Sequence, residues 1–141
     1  MLEPEIVMEK GPHTIPALGR KRQVLVVDDN KAVQEVLSRM LSFLGYHVTL
    51  AGDGLEAGTL FLTGSYDLVI TDLQMPRMNG WELSRLVKER SPKTPVIVVT
   101  GFSNDQHSEK ADTNCVDAII PKPFKLKEID TTVQKLLNSR T

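Results

Sequence analysis

Apolar residues in this chain fall into two alternating rhythms. Val24-Leu25-Val26-Val27 is a continuous, largely β-branched run, too short for a buried helix and suited to a strand covered on both faces. It stops at Asp28-Asp29-Asn30. Val33, Leu37, Met40, Leu41 and Leu44 then recur at helical spacing, and Gly45 is placed to end that helix. The alternation continues with a strand over 46–51, a helix over 54–63, a strand over 67–71, a helix over 80–90 and a strand over 96–100. A weaker helix within 104–113, a short strand at 118–120 and a final helix carrying Leu126, Ile129, Val133, Leu136 and Leu137 complete the pattern. Five strands alternating with five helices predict an α/β domain around a parallel sheet, because each crossover returns the chain in the same direction. Residues 1–22 contain Pro4, Gly11, Pro12, Pro16 and Gly19 and hold no period, so they read as an irregular leader or linker before a folded unit at 23–141.

Composition removes several classes of function. The 141 residues are 40% hydrophobic, with 17 basic against 18 acidic side chains, which suits a single soluble domain able to bury its own core. A near-neutral chain whose only basic cluster is Arg20-Lys21-Arg22 lacks the concentrated positive face of a nucleic-acid binder, so no direct nucleic-acid partner is expected. The lone Cys115 excludes an internal disulfide framework and suits a reducing compartment, its simplest role being a small buried hydrophobe. The first ten residues have neither the basic nor the apolar region of a signal peptide, and no apolar run approaches the ~20 residues that cross a bilayer. A cytoplasmic location without membrane attachment is the expectation.

In open parallel sheets, ligands sit beyond the carboxyl ends of the strands, where strand order reverses. Those ends carry Asp28 and Asp29, Asp72, Thr100 and Lys122. Each has a plain explanation alone: Asp28, Asp29 or Asn30 caps a helix, Asp72 opens a turn, Thr100 ends a strand, and Lys122 is solvated. Converging on one edge, they need a joint explanation. Two carboxylates 4 Å apart repel by ~4 kcal/mol at an effective dielectric near 20, and a cation relieves that strain. Oxygen ligands without nearby His or Cys favour a hard ion such as Mg²⁺, which uses one or two carboxylates plus a phosphate oxygen. The site therefore suits phosphoryl chemistry, with one carboxylate as nucleophile and Lys122 and Thr100 binding the transferred oxygens.

Four segments carry a family resemblance: Val26-Val27-Asp28-Asp29-Asn30, Val69-Ile70-Thr71-Asp72-Leu73-Gln74-Met75-Pro76 followed by Met78-Asn79-Gly80, Val98-Val99-Thr100-Gly101, and Pro121-Lys122-Pro123-Phe124. In that order on successive strand ends, over about 23–138, the chain resembles the receiver domain of two-component response regulators. The resemblance implies a flavodoxin-like, doubly wound five-stranded parallel sheet of order 2-1-3-4-5 with helices on both faces. It implies that Asp72 accepts a phosphoryl group from a phosphohistidine on a histidine kinase or histidine phosphotransfer protein. Asp29 then matches the direct metal carboxylate, Asp28 a ligand acting through water, and Gln74 a contributor of its backbone carbonyl, for Mg²⁺ or alternatively Mn²⁺. Thr100 matches the hydroxyl that moves toward the phosphoryl group and Lys122 the ammonium that pairs with it. Implied too are a cis Lys122–Pro123 bond, a downstream effector protein, and a homodimer face made by the fourth helix, fifth strand and last helix.

Two positions depart from or vary within the family pattern. Ile119 stands where the family usually has an aromatic ring that rotates on activation, so either repacking of the strand 4, helix 4 and strand 5 face carries the switch or the switch is weak. Gln74 and Phe102 flank the site; Phe102 either narrows the path of water to the acyl phosphate or covers the core. A haloacid-dehalogenase-like phosphatase would need a second acid at position 74 and a cap domain. A flavin carrier would have its phosphate repelled by Asp28-Asp29, and a phosphorylation-independent pseudo-receiver would not need all five site residues. His13, His47 and His107 have no metal-ligand spacing, and Trp81 is expected to pack. Met75 and Met78 either shape the loop after Asp72 or dock a partner. With few residues after the last helix, a stand-alone regulator acting by protein contact is expected in preference to an excised receiver.

Overall fold

The computed structural model describes residues 21–101 and 115–138. Its described elements are β1 (Gln23–Val27), α1 (Lys31–Phe43), β2 (His47–Ala51), α2 (Gly54–Thr63), β3 (Leu68–Asp72), α3 (Gly80–Arg90), β4 (Val96–Thr100), β5 (Ala118–Pro121) and α4 (Leu126–Asn138). All adjacent strands are parallel, in the order β2-β1-β3-β4-β5. The expected sheet is present. The helix expected within 104–113 lies outside the described residues, as do Phe102, His107 and His13.

Burial explains the strand order. β3 and β4 are buried along their whole length and β1 at every residue after Gln23, which is why these central strands read as unbroken apolar runs. The outer strands β2 and β5 are only partly covered, and β2 carries the polar residues His47 and Thr49. Alternate residues of the central strands feed two separate cores. Val24, Val26, Leu68 and Ile70 pack with Leu37 and Leu41 of α1 and Ile129, Val133 and Leu137 of α4. Leu25, Val27 and Val69 pack on the opposite face with Ala57 and Phe61 of α2 and Leu83 and Val87 of α3.

Polar side chains set the element boundaries. The Asn30 side chain caps α1 by accepting from the Ala32 and Val33 N–H groups, Asp53 caps α2 through the Glu56 N–H, and Asn79 and Glu82 form a reciprocal capping box on α3. Gly45, at φ 99°, takes the left-handed turn that ends α1. At the amino-terminal edge of the sheet, two aspartates fasten neighbouring strands. Asp67 accepts the Gln23 N–H at 2.7 Å, while Asp117 accepts both the Val96 N–H at 2.8 Å and the Lys88 ammonium at 2.7 Å. The opposite edge is thereby left to the acids. Among the described residues, no helix is long and apolar enough to cross a membrane.

Candidate functional site

The register brings the strand ends level. Val27 pairs with Thr71, Asp72 with Val99, and Thr100 with Pro121, so the residues following β1, closing β3 and following β5 share one edge, across the reversal of strand order between β1 and β3. β3 extends one residue beyond the expected 71, making Asp72 the last residue of the strand and fixing its backbone in the sheet. One carboxylate oxygen each from Asp28, Asp29 and Asp72 can be chosen so that all three lie within 4.8 Å of one another.

Lys122 is the counter-charge within this group. Its Nζ lies 3.2 Å from Asp28 Oδ2 and 3.4 Å from Asp72 Oδ1. Its backbone N–H donates to the Thr100 carbonyl at 2.9 Å, extending the β4–β5 pairing to the lysine itself. Thr100 is buried at that same edge, and the Lys122–Pro123 peptide is cis. Asp28 is buried and held at several points. Its Oδ1 accepts the Asn30 N–H at 2.8 Å and its own N–H donates to the Ala51 carbonyl at 3.1 Å. Asp29 differs, being exposed, and no described residue hydrogen-bonds to its carboxylate. Of the plain readings, helix capping thus belongs to Asn30, leaving Asp29 pointing its charge at solvent beside two buried acids.

The loop from Leu73 to Asn79 is held tightly. The Gly80 N–H donates to the Leu73 carbonyl at 2.8 Å, and a Cβ on Gly80 would stand 2.5 Å from the Asp72 carbonyl, so α3 starts in direct contact with the backbone of the last β3 residue. Arg77 adopts a left-handed conformation at φ 73° and forms an ion pair with Asp53. The Glu56 N–H and that guanidinium hold the Asp53 carboxyl below the usual range. Met75 and Met78 are half-buried against the α2–α3 side of the core, which favours loop shape over partner docking for both. Trp81 packs with Leu73 and Val98, as expected. Gln74 is exposed on this loop, two residues after Asp72. Ile119 is 42% exposed on β5.

Burial and the neighbouring Asp28 push the Asp72 carboxyl above the ordinary aspartate value, against the opposing pull of Lys122. Between the ordinary value and the raised one the folded protein holds a proton that the unfolded chain has released, so stability falls as pH rises through this window. In metal-free buffer Asp72→Asn should therefore lose that slope and melt above the parent at neutral pH, the two converging in acid. Equal melting curves across the range would show that Asp72 carries no such strain.

Sequence reasoning missed two contributors: Gln34, whose side chain reaches the Asp28 carbonyl, and the Asp53–Arg77 pair that ties the loop to the β2–α2 turn. The former carried a signal, since position 34 shares a helical face with Leu37 and Leu41, where a polar residue is out of place unless it is bonded.

The fold and site together define a class: a doubly wound α/β domain whose functional edge is a cluster of acids around one lysine. Residues 24–134 match the response regulator receiver domain, and the chain belongs to that family of two-component signalling domains. It is 41% identical over 118 residues to the response regulator MprA of Mycobacterium sp. (strain KMS), a match covering 82% of this chain and 50% of that protein. The chain thus spans about half the length of the curated relatives it matches. Among solved structures it is similar to the response regulator TrrA of Thermotoga maritima in complex with Mg²⁺ and BeF, with a TM-score of 0.75, 31% identity, and 82% and 98% of the two chains covered. It is also similar to the receiver domain of a sensor histidine kinase of Pseudomonas aeruginosa PAO1 with magnesium coordinated in the active-site cleft, with a TM-score of 0.79, 27% identity, and 84% and 99% covered.

Proposed function

We propose that residues 23–141 form a phosphoacceptor receiver in which Asp72 takes a phosphoryl group from a phosphohistidine on a histidine kinase or histidine phosphotransfer protein. The observation that carries this reading is Lys122 standing between Asp28 and Asp72 while Asp29 stays exposed beside them. The donor set is entirely oxygen, one acid remains open to solvent, and the buried pair already needs positive charge, all of which fit Mg²⁺ or, secondarily, Mn²⁺. Asp28, Asp29, Asp72 and the Gln74 backbone carbonyl are the residues that would hold the ion. When bound, it offsets the negative charge of an incoming phosphoryl group.

The chain's own residues then have defined tasks. An Asp72 carboxylate oxygen attacks phosphorus in line, the P–N bond to the donor imidazole breaks, and the nitrogen keeps the electron pair and takes a proton. Lys122, anchored by its backbone to β4, pairs with the transferred oxygens, and the Thr100 hydroxyl follows it. The outcome is an altered surface read by a downstream effector protein. The face of β5 and α4, including Ile119, suits such a contact and a homodimer, and a cytoplasmic setting suits the phosphodonor. The domain modifies itself and is not an enzyme acting on other substrates. Intact-mass measurement with acetyl phosphate tests the reading: one phosphoryl group should be gained only with Mg²⁺, and no gain would overturn it.

A further inference from the structure

Gln34 sits on α1 with only 8% of its surface exposed, beneath the acidic edge. Its Nε2 donates to two main-chain carbonyls, that of Asp28 at 2.6 Å and that of Ala51 at 3.2 Å. Its two N–H donors meet two acceptors, so the donor capacity of the amide is used in full. The acceptors lie where the β1–β2 ladder ends: the Asp28 N–H already donates to Ala51, and the strands then diverge. Without Gln34 the Asp28 carbonyl would lose its described partner in a buried position.

The Asp28 carbonyl belongs to the peptide that joins Asp28 to Asp29. Fixing that peptide plane fixes the departure direction of both carboxylates: Asp28 leans toward Lys122 and the Asn30 N–H, and Asp29 toward solvent. The Ala51 end of the bridge fastens the same peptide to the β2–α2 turn, where the Gly52 N–H donates to Glu56 Oε1 at 2.8 Å and Asp53 pairs with Arg77 of the loop following Asp72. One buried amide thus links the backbone of two of the acids to the frame that carries the third.

We propose that Gln34 is a positioning residue of the acidic site, setting cation affinity by locking the Asp28–Asp29 peptide. The inference rests on the cation reading above. The Gln34 amide donates to main-chain carbonyls behind the carboxylates, so its effect should fall on affinity and not on transfer at saturating Mg²⁺.

Titration calorimetry with Mg²⁺ alone separates the possibilities. Gln34→Met, which keeps length and loses both donors, should bind Mg²⁺ about 10-fold more weakly than the parent, the lower end of the effect of removing groups that orient metal ligands. Val133→Ala, a destabilising change on the α4 side of the core, should bind like the parent. Should Gln34→Met fail to fold, Gln34→Ala, in which water can reach the two carbonyls, should show the same weakening. A parent that binds Mg²⁺ with Gln34 variants binding equally well, or with Val133→Ala weakened to the same degree, overturns the positioning role and leaves the cation reading standing. A parent that does not bind Mg²⁺ overturns both.

Discussion

Gly54→Ala should lower stability by about 3 kcal/mol, at the upper end of the cost of overpacking a tight contact. At about 2.1 cal/mol/K of unfolding entropy per residue, in a chain of 141 residues that is a fall of roughly 10 °C in the melting midpoint. A Cβ at Gly54 would land on the carbonyl oxygen and Cβ of Met78, atoms of the backbone or directly attached to it, which no side-chain rotation can move aside. The β2–α2 turn and the loop after Asp72 would have to separate, and the Asp53–Arg77 pair spanning them would open. Mg²⁺ affinity should fall with stability, because the same loop carries Gln74. Gly58→Ala is the matched control, since among the described residues its Cβ would meet only Leu86 Cδ1 at 3.4 Å, and in the interior of α2 helix propensity should make it more stable by about 0.5–1 kcal/mol. Thermal melts of the two variants beside the parent decide the matter. Gly54→Ala melting with the parent would mean that the turn and loop are not in tight contact.

Lys122→Met should cost about 2 kcal/mol in metal-free protein at neutral pH, less than the loss from a fully buried pair because the lysine is a quarter exposed. The loss comes from the two acids left behind. Asp28 and Asp72 have 2% and 9% of their side-chain surface exposed and share this ammonium as their described counter-ion. Mg²⁺ should restore part of the stability by binding the folded state alone. Transfer should not recover with it, because Lys122 also meets the charge that develops on the phosphoryl oxygens, and its loss should slow acquisition of the group about 100-fold even at saturating Mg²⁺. Urea denaturation with and without Mg²⁺, beside a time course of modification, measures both effects. Unchanged stability in metal-free buffer would show the acids to be relieved by other groups.

Much of this architecture was legible because the central strands leave a strong signature. Val24 to Val27 and Val96 to Val99 are apolar at every position since both sheet faces are covered, and such runs read plainly. The charged residues of the site were legible for the complementary reason: Asp28, Asp72 and Lys122 interrupt apolar runs where a strand must end. What escaped depended on contacts between residues far apart in the chain. Nothing local to Gln34 names Ala51 as its partner, and nothing local to Arg77 names Asp53. Gly54 likewise reads only as the start of a helix, whereas its requirement comes from Met78 pressed against it. The boundary error at β3 had a local cause. Asp67 has poor strand propensity and fastens Gln23 from just outside the strand, while Asp72 belongs to the strand it was expected to follow.

Phosphorylation of Asp72 is tested by the intact mass of the parent and of Asp72→Asn after incubation with acetyl phosphate, with and without Mg²⁺. The parent should gain one phosphoryl group only when Mg²⁺ is present, and Asp72→Asn should gain none under either condition. A parent that stays unmodified with Mg²⁺, or an Asp72→Asn variant that gains the same mass, would contradict it.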